Sequence, residues 1–220
     1  MISCIVPAFN EEKYISKCLD SLFKSASMCL EEVEIIVVNN HCTDRTEKIV
    51  KMNYPGVRCL YYPISGREGA KNYGAYCSQG DPICFVDADC LVSEDFFSEI
   101  GEKAVNEHFI GGGTKYVKLS RMSLGIFIGL IPVAITLLLN GITVGAFWVR
   151  REVFEAVKGF RTTTWDDINF AIKLKKFAKE HGKKFESLKK SNLVWSTRKA
   201  DRFGDFYWVC RSRQIRNATA

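Results

Sequence analysis

Short apolar runs alternate with helix-length amphipathic stretches over the first 105 residues, and this constrains the fold more than any other feature. Ile2–Pro7, Val33–Val38, Val57–Tyr62 and Ile83–Val86 read as buried strands. Between them, Glu11–Ala26, Thr43–Met52 and Arg67–Ser78 carry apolar residues at helical spacing, with Asn10 placed to cap the first helix. Ser93 opens a further helix through Val105. Strands separated by helix-length stretches predict βαβ units, a mostly parallel central sheet and helices on both faces, an α/β fold. Ligands of such sheets bind beyond the carboxyl ends of the strands. Three polar clusters fall there: Pro7-Ala8-Phe9-Asn10, Asn39-Asn40-His41 and Asp87-Ala88-Asp89.

The second half differs. Met122–Val149 holds 28 residues without a formal charge, and Leu124–Leu139 is almost wholly apolar. Length alone would allow a membrane span. The Asn140-Gly141 turn signal splits it instead into an apolar helix, about 122–139, and a strand Ile142–Val149. That helix has three places to go: the core, a second copy, or a membrane surface.

Charge is uneven. Ala171–Ala220 carries 14 Lys and Arg against 4 Asp and Glu, or +10, so the first 170 residues carry −4 of the +6 total. A basic tail on a mildly acidic body fits phosphate groups or an anionic membrane surface. The nine cysteines include no C-x-x-C pair, and the three histidines show no zinc spacing, which favours a reducing, cytoplasmic setting. Met1 leads straight into an apolar strand with no cationic segment before it, so no signal peptide is expected.

Asp87 and Asp89 follow a strand directly and offer the oxygen ligands that Mg²⁺ or Mn²⁺ prefer. Arg67, Lys71 and Asn72, at the start of a helix, suit a diphosphate. Trp165, Asp166 and Asp167 precede a helical run, Ile168–Ala178, and a carboxylate there can serve as a general base. A further cationic segment, Trp195–Phe206 with Arg198, Lys199 and Arg202, is a candidate for holding diphosphate or lipid headgroups.

Taken in order, Pro7-Ala8-Phe9-Asn10-Glu11-Glu12, Val37-Val38-Asn39-Asn40-His41-Cys42-Thr43-Asp44, Gly69-Ala70-Lys71-Asn72, Gly80-Asp81, Phe85-Val86-Asp87-Ala88-Asp89, Gly145–Phe154, Gly159-Phe160 and Asp166–Phe170 resemble the family 2 glycosyltransferases, of a bacterial, non-processive type. The likeness covers roughly residues 1–180. It implies the GT-A fold as a single domain over 1–220, with a nucleotide-sugar-binding half (1–115) and an acceptor half (116–220). It also implies inverting, metal-dependent transfer of one sugar from a nucleoside-diphosphate sugar to a hydroxyl of a glycan or lipid-linked acceptor. Pro7, Ala8, Asn10, Glu11, Asn40 and Lys71 would bind the donor together with Asp87 and Asp89. Of the last two, Asp89 would be the more direct metal ligand. Asp167 would be the base, with Trp165 and Asp166 on the acceptor side. Nucleic acid is not among the implied partners. Apart from the resemblance, the cysteine pattern points to the cytoplasm, and the apolar helix with the basic tail suits a peripheral position on the inner face of a membrane.

Two departures bear on this. Asn39-Asn40-His41-Cys42 stands where the family often reads Asp-Asp-Gly-Ser, which opens the choice of base, because an amide donates as well as accepts. Asp166 replaces the commoner Glu. Other readings are a polyprenyl-phosphate sugar synthase, a nucleotidyltransferase and a non-catalytic nucleotide-sugar-binding subunit.

Overall fold

The computed structural model describes residues 1–161, 166–205 and 207. In chain order the elements are β1 (Ile2–Ala8), α1 (Ile15–Ser27), β2 (Val33–Asn39), α2 (Thr46–Asn53), β3 (Arg58–Tyr61), α3 (Arg67–Cys77), β4 (Ile83–Phe85), β5 (Leu91–Val92), α4 (Phe96–Ala104), β6 (Phe109–Leu119), α5 (Leu124–Asn140), β7 (Phe147–Val149), α6 (Arg151–Ala156), α7 (Asp166–Glu180), β8 (Lys184–Phe185), β9 (Leu188–Trp195) and α8 (Arg198–Phe203). The described strands form one sheet in the order β3-β2-β1-β4-β7-β6-β9-β5, with β8 beside β6. β3, β2, β1 and β4 are mutually parallel, as the alternation predicts. β7 runs antiparallel between β4 and β6, and β5 runs antiparallel to β9.

Both faces of the sheet are buried, which is why its first strands read as continuous apolar runs rather than alternating ones. Along β1, Ile2, Cys4, Val6 and Ala8 pack with α1 and α4, while Ile5 faces the opposite layer with Ile36 and Val38 of β2. That second layer holds a phenylalanine cluster beneath α7. Phe160 stacks on Phe170 with ring centroids 4.0 Å apart, and Phe85 meets Phe160 edge-on at 4.9 Å. Aromatic pairs of this kind add to the burial of their area and fix ring orientation. They give the start of α7 a rigid floor.

The structure moves several element boundaries. Helix α1 begins at Ile15 after Tyr14, and Asn10 instead takes a left-handed φ of 57° in the loop before it. Helix α4 begins after Asp95, whose carboxylate accepts the Ser93 hydroxyl at 2.5 Å. The Asn140-Gly141 turn is present: Gly141 closes α5 in the left-handed conformation at φ 54°. The strand after it is shorter than Ile142–Val149, because only Phe147–Val149 pairs with its neighbours. Strand β6 breaks the apolar pattern with Gly111-Gly112-Gly113, yet it pairs with three other strands. A β-carbon on Gly112 would run into the Glu186 carbonyl, so close approach of two backbones demands glycine there.

Glu99 of α4 anchors β9. Its buried carboxylate accepts the backbone N–H groups of Lys189, Lys190 and Ser191, the last at 2.8 Å, and the Ser191 hydroxyl at 2.8 Å. Burial works to raise its pKa, but the N–H donors of Ser191, Lys189 and Lys190 outweigh it and hold the carboxyl below the usual range. Glu99→Gln is expected to cost about 1–3 kcal/mol at pH 7, read by urea unfolding. Because the folded pKa is the lower one, this stabilisation is present above an unfolded pKa of about 4.3 and is lost as pH falls through the folded value. The two proteins should therefore converge in acid.

Candidate active site

The register that pairs Ala8 with Asn39, and Ile5 with Phe85, brings the loops after β1, β2 and β4 out at one end of the sheet. Pro7 and Ala8 are buried at the end of β1. The Asn10 side chain staples the first two loops, accepting the N–H of Thr43 at 2.7 Å and of Asp44 at 3.3 Å. Asn39 is spent internally: its amide donates to Glu47 at 2.6 Å and accepts from the Cys42 N–H at 2.8 Å. Asn40 is different. Its side chain is 6% exposed, and its Oδ1 finds no partner among the described residues; His41 Nε2 beside it is also unpartnered. A buried acceptor without a donor costs about 1–3 kcal/mol, which a hydrogen-bonding ligand would recover.

Beyond β4, Asp87 and Asp89 meet two sets of cations. On one side, Lys71 of α3 is 2% exposed and donates to Asp167 at 2.8 Å, with Asp87 at 3.7 Å and Asp166 at 3.8 Å. Arg67 lies 3.3 Å from Asp87 and 3.7 Å from Asp167, and it donates to Asp166. On the other side, Arg198 of α8 forks onto both carboxylate oxygens of Glu11, and its Nε lies 2.8 Å from Asp89. A cavity of about 210 Å³ opens against Asp89, Arg198 and Tyr14. The site therefore draws on β1, α3, β4, α7 and α8.

The carboxylates differ in character. Asp87 is pushed up by burial, but Lys71 and Arg67, joined by Lys199 and Arg198, bring it down to about 2. Asp166, 3% exposed, is raised to about 6 by burial and by Asp167, against the pull of Lys71 and Arg67; its Oδ2 has no hydrogen-bond partner among the described residues. Burial, reinforced by Asp89 and Asp87, lifts Glu11 to about 7 even against Arg198. The Asp167 side chain remains 25% exposed, so of the α7 pair it is the one a substrate can reach.

Several expectations change. Lys71 lies beyond the first residues of α3, and its ammonium is turned onto Asp167. Asn72 gives both halves of its amide to the Phe160 backbone, at 2.9 Å each way, so it serves the loop before α7. Trp165 lies outside the described residues. The bidentate Glu11–Arg198 pair spans 187 positions, and no local pattern announces it.

Among the described residues no group of three or more His, Cys, Asp or Glu side chains is arranged to hold a metal ion. Asp87 and Asp89 still form a hard two-carboxylate set, which suits Mg²⁺ or Mn²⁺ when substrate phosphates supply further oxygens. Burial and Asp87 push the Asp89 carboxyl up despite Arg198 and Lys199, and with Arg198 Nε 2.8 Å from its Oδ2 a metal ion there would share the carboxylate with that guanidinium.

The family model described as glycosyl transferase family 2 matches residues 3–157. The uncharacterized glycosyltransferase EpsJ of Bacillus subtilis is 34% identical over 107 residues, 47% of this chain and 30% of that one. A poly(ribitol-phosphate) beta-glucosyltransferase of Bacillus spizizenii is 35% identical over 99 residues, 43% of this chain and 16% of that one. Among solved structures, S. aureus TarS 1-349 in complex with UDP-GlcNAc superposes with a TM-score of 0.62 at 20% identity, covering 79% of this chain and 52% of that one. The mannosyltransferase PcManGT of Pyrobaculum calidifontis, in complex with GDP-Man and Mn²⁺, gives 0.65 at 17%, covering 88% and 56%. These likenesses show the GT-A fold. The chain thus spans less than a third of the two curated relatives and about half of the two solved chains.

Proposed function

The chain belongs to glycosyl transferase family 2, and from that premise we propose that it moves a single sugar from a nucleoside-diphosphate sugar to an acceptor hydroxyl with inversion at the anomeric carbon. The observation that carries this reading is the meeting of Asp87 and Asp167 on one buried ammonium, that of Lys71. It sets a donor-side carboxylate and an accessible candidate base within one side chain's reach.

Asp167 takes the proton of the acceptor hydroxyl. The freed oxygen lone pair forms the new bond to the anomeric carbon, and the electrons of the old carbon–oxygen bond leave with the nucleoside diphosphate. Lys71, 2.8 Å from Asp167, and Arg67, 3.7 Å from it, orient the carboxylate for that step. Arg67, the more exposed of the two cations, also supplies positive charge where the leaving group becomes more negative. Asp89 and Asp87 would hold a Mn²⁺ or Mg²⁺ ion, which when bound would neutralise charge on the diphosphate. Pro7, Ala8, Asn10 and Glu11 border the nucleotide, and the unpartnered Asn40 oxygen faces its base. Uridine and guanosine donors both occur in the superposed structures, so the base stays open. The acceptor class best supported by the relatives' names is a cell-envelope glycan, carried on a lipid or a polymer.

Calorimetric titration with UDP, GDP, CDP and dTDP, with and without Mn²⁺, tests the donor site. One nucleotide should bind in a metal-dependent way, and Asp89→Ala should weaken it by about ten-fold or more. Absence of binding by all four would remove the donor site as described.

A further inference from the structure

Helix α5 buries one narrow stripe: Gly125, Ile126 and Gly129 face the protein, and Val133 and Leu137 pack on the phenylalanine layer. The opposite stripe is open. Phe127, Ile128, Ile131, Ile135, Leu138 and Leu139 are all exposed, Leu138 and Leu139 by 80% and 82%. Their helical spacing makes one apolar face, of the kind that marks an interaction site. No residue of α5 is charged.

At the C-terminal end of this face lies a groove of about 570 Å³ whose lining includes Lys175, Lys176, Lys179, Lys183 and Lys184, and no carboxylate. Lys175 fixes the groove to α5 by donating to the carbonyls of Asn140 at 2.5 Å and Gly141 at 3.0 Å. The lysine groove thus begins where α5 and its apolar stripe end, joined to the helix through Asn140 and Lys175.

We propose that this surface docks on an anionic lipid bilayer, with α5 lying in the plane of the interface and the lysine groove over the headgroups. Charge selects the occupant. A bilayer with acidic headgroups supplies apolar depth for the stripe and negative charge for the groove, side by side. At 17 residues and 1.5 Å per residue, α5 is about 25 Å long. No helix among the described residues is long and apolar enough to cross a membrane, so α5 rests on the surface rather than spanning it. The proposal does not depend on the transfer reaction, since none of these residues lines the candidate active site.

Co-sedimentation of the full chain with phosphatidylcholine vesicles, alone or with about one third phosphatidylglycerol, tests it. The protein should partition onto the acidic vesicles at least about ten-fold more strongly than onto the neutral ones. Ile131→Glu with Leu138→Glu should abolish binding. Lys176→Glu with Lys179→Glu should remove the preference for acidic lipid, at about five-fold or more per cation. All these positions are exposed, and unchanged melting temperature and nucleotide binding will verify that the variants fold. The proposal is overturned if acidic vesicles do not bind, if binding ignores either pair of substitutions, or if only soluble inorganic phosphate binds. It is equally overturned if sedimentation velocity finds a dimer that Ile131→Glu dissociates, which would assign the face to a second copy.

Discussion

Asp167→Asn is expected to lower turnover by about 10²–10⁴-fold while leaving nucleoside-diphosphate affinity within a few-fold of the parent. The substitution keeps the size of the side chain and leaves an amide oxygen for the Lys71 ammonium, now 2.8 Å from the carboxylate. What it removes is the ability to take a proton. The fall should appear in kcat and in kcat/KM alike, as for an interaction made only in the transition state. Asp166→Asn is the informative neighbour. Asp166 is buried and already inclined towards its neutral form by burial and by Asp167, so its loss should act mainly on stability. A silent Asp167→Asn would turn the reading towards an acceptor that brings its own negative oxygen, such as a polyprenyl phosphate, for which no base is needed.

Lys71→Met should be the most destabilising change in the site, by about 3–5 kcal/mol at neutral pH. The ammonium is buried among Asp87, Asp166 and Asp167, and methionine fills its space without its charge. Desolvation works against the cation, yet Asp167 and Asp87 hold its pKa above the ordinary lysine value, so in the folded chain it stays charged. Without it, Arg67 alone faces three carboxylates. The sign with pH follows from Asp87. Its folded pKa, about 2, lies below an unfolded value of about 3.9. The stabilisation is therefore full above the unfolded value and is lost as pH falls through the folded one. The gap between parent and variant should stay level from pH 7 to about pH 5 and narrow from there towards pH 2 in urea unfolding curves. A gap that stays constant over that range would mean that the lysine acts by packing, including its contact over the Phe160 ring at 4.7 Å.

The parallel half of the sheet was legible because its strands are buried on both faces and its helices carry apolar stripes, so periodicity and burial say the same thing. Asp87 and Asp89 were legible for the same reason, lying directly after β4. Strands β6 and β9 were not. Gly111-Gly112-Gly113 weakens the strand signal of β6, and Lys189 and Lys190 interrupt that of β9; close backbone approach explains the first. Glu99 sustains the second by accepting the N–H groups at those lysines, a partner 90 positions away. The site divides along the same line. Candidates placed by a single strand end can be named from the sequence, whereas the ring of ion pairs cannot, because Arg67 with Asp166 and Arg198 with Glu11 become neighbours only once α7 and α8 have folded over the strand ends.

Strand β7 has one more consequence. It belongs to the later part of the chain, yet it sits inside the sheet, hydrogen-bonded to β4 on one side and β6 on the other. The earlier and later portions of the chain are therefore interleaved, not joined end to end. Exchanging the later portion with that of a relative, as one would swap a cassette, cuts through the middle of a hydrogen-bonded array and strips β4 of its neighbour. Under the proposed function, a change of acceptor would have to come through loops and side chains, because the scaffold offers no seam at which the later portion could be traded whole.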